Sequence, residues 1–348
     1  MGGTRYMFLA FGVALMSLSL AAQEAEFVAD EMPTPSCHAS TIVETRPGEL
    51  MAAWFGGTAE GRPDVAIWGA RRAAGRWSAP VELVREPNIA TYNPVLFHTR
   101  DGLLWLYYKF GSHPTSWSAG RTFSKDQGRT WSPVEHLPAG LVGPVRAKPL
   151  VLENGTIVSG SSVESYRSWA CWIERSTDNG KTWTKHGPIT VPLAANPDQT
   201  HGIIQAVVVP MGGRRLRLFA RATPTIGKVC VADSADLGIT WTAAHPIDLP
   251  NPSTGVDVVR LKDGRLVMVY NHTAKGRTPL NLAVSSDGEK WSMFHTLESE
   301  PGEYSYPAMI QGADGNLHIT YTWKRQRIKY VSFPLGRVPA ANGNTQRN

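Results

Sequence analysis

Short apolar runs separated by glycine turns recur along the whole chain. A turn precedes an apolar run at six glycines, Gly48, Gly102, Gly155, Gly213, Gly264 and Gly315. The intervals between them are 54, 53, 58, 51 and 51 residues. Runs such as 104–108, 266–270 and 317–321 are rich in β-branched and aromatic residues, which is typical of strands. A period of about 50 residues built from strands and turns predicts an all-β fold, a six-bladed β-propeller.

A second motif follows the same period. The pattern Ser-x-Asp-x-Gly-x-Thr-Trp occurs at 124–131, 176–183 and 234–241, with a shortened copy at 285–291 and an eroded one at 75–77. In such a turn the Asp accepts backbone N–H groups, the Gly adopts a positive φ and the Trp packs beneath. We interpret the motif as a structural device. It resembles the Asp boxes of the sialidase (neuraminidase) superfamily and of other BNR-repeat proteins, some of which are not catalytic.

The repeats account for nearly all of the 348 residues, so we expect residues 23–348 to form a single sialidase-like propeller domain. Residues 1–22 combine an arginine, a short apolar stretch and small residues, which predicts a signal peptide. The apolar stretch is too short to favour a membrane span, and no later segment competes with it. The sequence therefore predicts a secreted or periplasmic protein with no membrane span once the signal is removed.

Charge, cysteine content and the absence of known ligand-binding motifs limit the partners, disulfides and cofactors that the sequence predicts. The net charge of +6 suits an anionic partner, but the basic residues are scattered, and no nucleic-acid partner is predicted. The small cluster of Lys324, Arg325 and Arg327 is interpreted as a solvated strand face. The three cysteines are too few for a disulfide framework and are expected to be buried. No metal-ligand spacing, phosphate loop or dinucleotide fingerprint occurs, so no metal or cofactor is predicted.

The resemblance to bacterial exo-sialidases extends over residues 30–335 and implies site residues. Arg221 and Arg277 match arginines that bind the substrate carboxylate, although either could brace a neighbouring strand. Tyr304, in a Tyr-Ser segment, matches the nucleophile. The loop that carries the family's acid offers Glu60 and Asp64, and Asp64 could instead cap a turn. Guanidinium groups bind a carboxylate through charge-assisted bonds, and a neutral phenol avoids the repulsion that an anionic nucleophile would meet there.

Three departures from the family pattern set this chain apart. The first-blade segment that contains the leading arginine of the family is replaced by residues 36–40, which include His38. Gln205 stands in place of the glutamate that partners the nucleophile, and a carboxamide cannot take a proton from Tyr304. Thr322 stands near the position of a glutamate that braces an arginine in the last blade. The chain therefore resembles a divergent, sialidase-like branch of the superfamily.

The missing base has to come from elsewhere, and three residues are candidates: His38, Glu164 and His201. His38 could act as a base or, protonated, as a contact to the sugar carboxylate, and it could also be purely structural. Lys148 and Tyr306 are further pocket candidates. Lys148 could instead cover apolar surface, and Tyr304 or Tyr306 could pack between blades.

These residues predict a secreted, exo-α-sialidase-like glycoside hydrolase that cleaves a terminal acidic sugar, sialic acid or a related 2-keto acid, from a glycan or glycoconjugate. One alternative is a propeller polysaccharide lyase that acts on uronic acids with His38 and Tyr304 as the proton-transfer pair. A second alternative is a glycan-binding propeller without catalysis. The sequence predicts no oligomeric state.

Overall fold

The computed structural model describes Met1, residues 23–192 and residues 198–341. The predicted signal peptide, residues 1–22, lies outside the described residues apart from Met1. The described chain is built of β-strands, with 3-10 turns at Pro114–Ser116 and Leu335–Arg337, which confirms the all-β prediction. None of the helices in this part of the chain is long and apolar enough to cross a membrane.

In chain order the described strands are β1 (Glu24–Phe27), β2 (Ser36–Arg46), β3 (Glu49–Gly57), β4 (Ala66–Ala73), β5 (Arg76–Trp77), β6 (Val81–Val84), β7 (Thr91–His98), β8 (Leu104–Phe110), β9 (Ser118–Ser124), β10 (Glu135–His136), β11 (Leu150–Val151), β12 (Ile157–Glu164), β13 (Ser168–Ser176), β14 (Thr184–Ile189), β15 (His201–Gly212), β16 (Arg215–Ala222), β17 (Lys228–Ser234), β18 (His245–Pro250), β19 (Asp257–Arg260), β20 (Leu266–Tyr270), β21 (Leu280–Ser285), β22 (Ser292–Glu298), β23 (Tyr304–Gln311), β24 (Leu317–Trp323) and β25 (Arg327–Phe333).

Antiparallel pairing between strands that follow one another in sequence organises these strands into sheets. Among the described residues, β2–β6, β7–β10 and β19–β22 each form a sheet, and β23–β25 form another together with β1. A fifth sheet holds β11–β18, in which a two-residue parallel contact between β13 and β15 joins two antiparallel groups. The strand groups follow the predicted repeat, while the number of blades stays a prediction.

The two ends of the described chain meet in one sheet. Strand β1 pairs antiparallel with β25, with Glu24 opposite Ser332 and Phe27 opposite Lys329. At the centre of the fold the inner strands β7, β2, β23, β19 and β15 contact one another in that order. One such contact is the hydrogen bond from the backbone N of Leu96 to the Thr41 Oγ1 at 3.2 Å. The mouth formed by these inner strands is where loops from different sheets converge.

The repeated turn motifs have the hydrogen bonds that their composition predicts. In the first full copy, Ser124 Oγ donates to Asp126 at 2.7 Å and accepts from Gly128 N at 2.8 Å. The Asp126 carboxylate also accepts from Thr130 N at 2.8 Å and from its hydroxyl at 2.6 Å. These bonds, led by the Thr130 hydroxyl, lower the pKa of Asp126. The copies that begin at Ser176 and Ser234 repeat the same bonds within about 0.1 Å.

The cysteines lie in the apolar layers between sheets. Cys37, Cys171 and Cys230 are free and buried, as expected. Burial raises the pKa of the Cys37 thiol to about 12, so it stays protonated. All three therefore act as small apolar side chains.

Candidate functional site

Four inner strands carry the same irregularity near the mouth of the fold. In β2, β7, β15 and β23 two residues lie opposite one on the partner strand, which is a β-bulge. The first bulged residue has a positive φ in every case: 54° at Ala39, 42° at Asn93, 59° at Gln205 and 50° at Tyr306. This backbone conformation is unfavourable for residues other than glycine, and bulges redirect side chains next to active sites. The four bulges therefore mark the mouth as the candidate site.

The phenol of Tyr306 is the centre of the side-chain cluster at the mouth. Its Oη accepts a hydrogen bond from Arg221 Nη1 at 2.8 Å and one from Gln205 Nε2 at 3.3 Å. The guanidinium carbons of Arg146 and Arg277 lie 5.5 and 5.6 Å from the centre of its ring. Two donors on Oη and cations beside the ring stabilise negative charge that develops on this oxygen. The Oε1 of Gln205 is buried and has no partner among the described groups.

Arg221 is the guanidinium at the mouth best placed to meet an anion. Besides Tyr306, it donates from Nε to Ser253 Oγ at 3.2 Å and lies 5.7 Å from the ring of Trp169. Within the described part of the chain, its hydrogen bonds all go to neutral oxygens. Glu164 lies in the electrostatic range of Arg221: burial raises the pKa of this carboxyl and the Arg221 cation partly opposes the rise. Arg221 and Glu164 thus share one side of the mouth.

A network of ion pairs crosses the opposite side of the mouth. Arg277 Nη1 donates to Glu303 at 2.6 Å and to Ser305 Oγ at 3.2 Å. Arg325 donates from Nε to both Glu303 oxygens at 2.9 and 3.0 Å and from Nη1 to Glu60 at 2.5 Å. The network links the loop after β3, which carries Glu60, to the turn between β24 and β25, which carries Arg325. The guanidinium of Arg277 is therefore already neutralised in part by a carboxylate.

His38 lies buried beneath this network, with a side chain only 2% exposed. Its Nδ1 is 2.9 Å from Thr322 Oγ1, and its ring centroid is 4.4 Å from that of Tyr306. Burial, followed by the nearby guanidinium groups, lowers the pKa of His38 well below its ordinary value. The imidazole is therefore neutral, which favours the role of a base or acceptor over that of a cationic contact to a sugar carboxylate.

The structure does not bring the phenol of Tyr304 into this cluster. Its ring packs in an apolar core between two sheets, 6.5 Å from the ring of Trp323. Burial, and then the carboxylates of Glu298 and Glu300, raise its pKa. The bulge after Ser305 explains why Tyr306 joins the cluster and Tyr304 does not, because it turns the side chain of Tyr306 toward Arg221. The expectation that Tyr304 meets Arg221 and Arg277 is wrong, and Tyr306 takes that position.

The two candidate acids differ in their surroundings. Asp64 accepts hydrogen bonds from the backbone N of Thr58 at 2.8 Å and from its hydroxyl at 2.5 Å. These bonds lower the pKa of Asp64, the opposite of what a proton donor needs. Asp64 therefore closes its own loop, the alternative that the sequence left open, and Glu60 is the carboxyl of this loop that joins the mouth.

Two further candidates have their polar atoms engaged outside the cluster. The ring nitrogens of His201 lie 3.1 Å from Thr225 Oγ1 and 2.9 Å from the backbone O of Pro192. Lys148 Nζ binds both oxygens of Asp257, at 2.8 and 3.1 Å, in an ion pair that joins the segment before β11 to β19. Neither geometry brings the side chain to the Tyr306 phenol.

Sequence reasoning missed three charged residues of the site. The interpretation of Arg325 as part of a solvated strand face is wrong, because its guanidinium pairs with the carboxylates of Glu303 and Glu60. Glu303 directly precedes the Tyr-Ser segment, and that position was its only signal. Arg146 is 5% exposed and donates to the backbone oxygens of Val256 and Pro307, a role that no sequence motif indicates.

Comparisons with known proteins agree with this architecture. A family model described as the BNR repeat-like domain matches residues 48–319. A search of curated proteins gave no match. Among solved structures, a Hadza microbial sialidase, Hz136, has a TM-score of 0.72 and 18% identity, over 88% of this chain and 67% of that chain. An intramolecular trans-sialidase from Ruminococcus gnavus has a TM-score of 0.71 and 13% identity, over 91% of this chain and 98% of that chain.

A protein of unknown function from Dyadobacter fermentans is equally similar. Its TM-score is 0.71 at 17% identity, over 89% of this chain and 99% of that chain. At such identities the likeness shows a shared fold. That fold is the β-propeller of the sialidases, which confirms the predicted fold class.

Proposed function

Because the chain belongs to the BNR repeat-like domain family, as a divergent sialidase-like member, we propose that it is a glycoside hydrolase that removes a terminal acidic sugar from a glycan. The observation that carries this proposal is the pair of donors on the Tyr306 phenol oxygen, one of them the guanidinium of Arg221. A carboxylate bound by Arg221 would sit next to Oη. The sugar carbon that Tyr306 attacks would therefore be the carbon that bears the carboxylate, as in a 2-keto acid.

In this mechanism Tyr306 attacks the anomeric carbon while the bond to the leaving oxygen breaks, and water then attacks the same carbon, which releases the sugar and restores the phenol. The transition state resembles an oxocarbenium ion, and the substrate carboxylate beside it repels an anionic nucleophile but not a neutral phenol. Arg221 binds the carboxylate, with Arg277 at its flank. The free Oε1 of Gln205 accepts a hydrogen bond from a sugar hydroxyl, since the carboxamide cannot act as a base.

Two protons have to move during the reaction. Glu60 would be the proton donor to the leaving oxygen, once the substrate has displaced it from Arg325 and it has taken a proton from solvent. The phenol proton of Tyr306 goes to His38 or Glu164. Burial raises the pKa of Glu164, which makes this carboxylate a better proton acceptor, whereas His38 is neutral but the lowering of its pKa weakens it as a base.

A polysaccharide lyase acting on uronic acids is the second candidate function. One observation favours it: a neutral His38 packs against Tyr306, and the oxygen of that phenol touches Arg221. A lyase needs a base to remove the C5 proton, an acid to protonate the leaving oxygen and a cation to neutralise the carboxylate. Here His38, Tyr306 and Arg221 would take those three roles.

One assay set separates these functions. Purified protein is incubated with fluorogenic sialosides, other 2-keto-acid glycosides and uronides, and with uronic acid polymers. The hydrolase releases fluorophore and a saturated sugar, whereas a lyase forms a conjugated unsaturated uronate that absorbs in the ultraviolet.

The Tyr306→Phe variant is the control for contaminating activity, and Tyr304→Phe is its matched partner. Turnover that survives in Tyr306→Phe contradicts the proposed mechanism. Saturable glycan binding with no turnover of any substrate identifies a non-catalytic glycan-binding protein instead.

A further inference from the structure

We propose that Arg325 is a positioning residue that holds His38 as the tautomer with its proton on Nδ1, so that Nε2 stays unprotonated and accepts from the guanidinium. The sequence offers no hint of this role, because the two residues are 287 positions apart. They meet because the turn after β24 folds over the start of β2.

The hydrogen bonds around His38 fix the tautomer by elimination. Arg325 Nη2 lies 3.4 Å from His38 Nε2, and a guanidinium nitrogen can only donate. His38 Nε2 therefore accepts, and in a neutral imidazole the proton is then on Nδ1. Nδ1–H donates to Thr322 Oγ1 at 2.9 Å, and the same oxygen accepts from the backbone N of Ala39 at 3.0 Å.

Arg325 itself is held by two carboxylates. Its Nε donates to Glu303 and its Nη1 donates to Glu60. The remaining nitrogen, Nη2, faces His38. Lys324 and Arg325 have φ values of 53° and 55°, a conformation unfavourable for residues other than glycine that persists only where the surrounding contacts maintain it. A lysine could supply a charge at this place but not three donors in one fixed plane.

The groups around His38 keep it neutral as well as oriented. Apart from the backbone, it meets Phe55 of β3, Tyr306 of β23 and Thr322 of β24. The charged groups that act on it from other elements are all guanidiniums: Arg325, Arg277, Arg146 and Arg221. Burial and these cations oppose protonation together, so a change of pH within the neutral range leaves the imidazole uncharged.

With its proton on Nδ1, His38 can take a further proton only at Nε2, and only once Arg325 Nη2 moves away from this nitrogen. The catalytic part of this inference rests on the proposed function, whereas the tautomer can be measured without any substrate. The two can therefore fail separately.

The test is a nitrogen chemical-shift measurement on the full chain with ¹⁵N-labelled histidine, in which loss of signals in His38→Gln assigns the residue. We expect a protonated-type shift for Nδ1 and an unprotonated-type shift for Nε2, both constant through neutral pH. In Arg325→Ala we expect the two shifts to move toward each other as both tautomers become populated. The pKa of His38 is expected to rise in that variant, because one of the opposing cations is gone.

Arg327→Gln is the matched control, because Arg327 follows directly after this turn, as the first residue of β25, but donates to the backbone oxygens of Ala29 and Asp30. It should leave the His38 shifts unchanged. Arg325→Lys should keep the pKa of His38 low but restore only part of the tautomer preference. A protonated Nε2 in the wild-type protein overturns the proposal, even if every variant fails to fold. Equal shifts in Arg325→Ala and wild type overturn it too.

Kinetics then connect the tautomer to catalysis. If His38 is the base, Arg325→Ala lowers kcat by about tenfold, a fraction of the roughly 100-fold or greater contribution of a general base, and moves the acid limb of the pH profile upward. Arg327→Gln leaves the limb in place. If the acid limb of the pH profile does not move in a folded Arg325→Ala variant, Arg325 has no role in catalysis. If the wild-type protein turns over no acidic glycoside, the proposed function is contradicted, but the measured tautomer of His38 is not affected.

Discussion

The Asp-box turns and the bulged inner strands both recur around the fold. The turns recur in both residue type and geometry, whereas the bulges recur only in backbone conformation. The turns conserve residue type and geometry together: Ser, Asp, Gly and Thr recur with the same hydrogen bonds in three full copies. The bulges conserve only the backbone, and the residue with positive φ is in turn Ala39, Asn93, Gln205 and Tyr306.

This difference separates what maintains the fold from what can act on a ligand. A turn that needs the same side chains in every copy uses them for its own hydrogen bonds. A strained backbone that carries a different side chain in each sheet can direct those side chains toward the mouth, where Gln205 binds Tyr306. We therefore expect substitutions in the turns to change stability and substitutions at the bulges to change chemistry.

The largest effect is expected for Tyr306→Phe. Loss of the attacking oxygen should lower kcat by about a thousandfold or more, with little change in the binding of an acidic ligand. Tyr304→Phe should lose less than about twofold, because the Tyr304 phenol lies outside the cluster and makes no catalytic contact. Steady-state kinetics on the two purified variants checks this, and a reversed order would return the catalytic role to Tyr304.

Next in size is Arg221→Gln. Loss of a charge-assisted bond to the substrate carboxylate should lower kcat/KM by about 10- to 100-fold. The control is Arg217→Gln on the outer part of the same strand, where the guanidinium binds Asp233 at 2.7 and 2.8 Å. Arg217→Gln should have the kcat/KM of the wild type. An equal loss of kcat/KM in Arg217→Gln and Arg221→Gln would show that the substitutions act by distorting strand β16.

Ser234→Ala addresses the turns. The hydroxyl of this buried serine accepts from Gly238 N at 2.8 Å and donates to Asp236 at 2.8 Å. Without it the buried N–H of Gly238 loses its partner, which should lower the free energy of unfolding by about 1–2 kcal/mol. Denaturant unfolding measures this loss, and kcat of the folded variant should equal that of the wild type. A large fall in kcat would contradict the separation of roles.

The smallest effect concerns acid stability. Hydrogen bonds from the Thr182 side chain, then its backbone N–H, lower the pKa of Asp178 from 3.8 to about 2. A carboxyl with a depressed folded-state pKa stabilises the fold above its ordinary pKa, and that contribution is lost as pH falls toward the folded value. Tm should therefore decline between pH 3.8 and about 2. Asp178→Asn should show a shallower decline, and parallel curves would exclude this carboxyl as a cause.

The fold and the turns could be predicted from the sequence because both are repeated, and a repeat can be recognised within a single chain. Sequence reasoning also reached Arg221, Arg277 and Glu60. It chose Tyr304 over Tyr306 because a Tyr-Ser pair is visible in sequence, whereas the bulge that selects the second tyrosine is a property of the backbone. Alternation along a regular strand would have put both rings on one face.

The ion-pair network was beyond sequence reasoning for a different reason. Arg325 meets Glu60 across 265 positions, and no local pattern links them. Its neighbours Lys324 and Arg327 made it resemble ordinary surface charge. Only the pairing of the first and last sheets around the mouth gives this arginine two carboxylates and an imidazole as neighbours.

The pairing of β1 with β25 has a consequence for how the protein comes into being. During synthesis the sheet that carries Glu303, Tyr306 and Arg325 is translated last, and it cannot gain its outer strand until the beginning of the chain folds back onto it. Every shorter, partly folded chain then has Arg221 and Arg277 but lacks the Tyr306 phenol that Arg221 binds. The side-chain cluster at the mouth is therefore complete only after this last-translated sheet has formed.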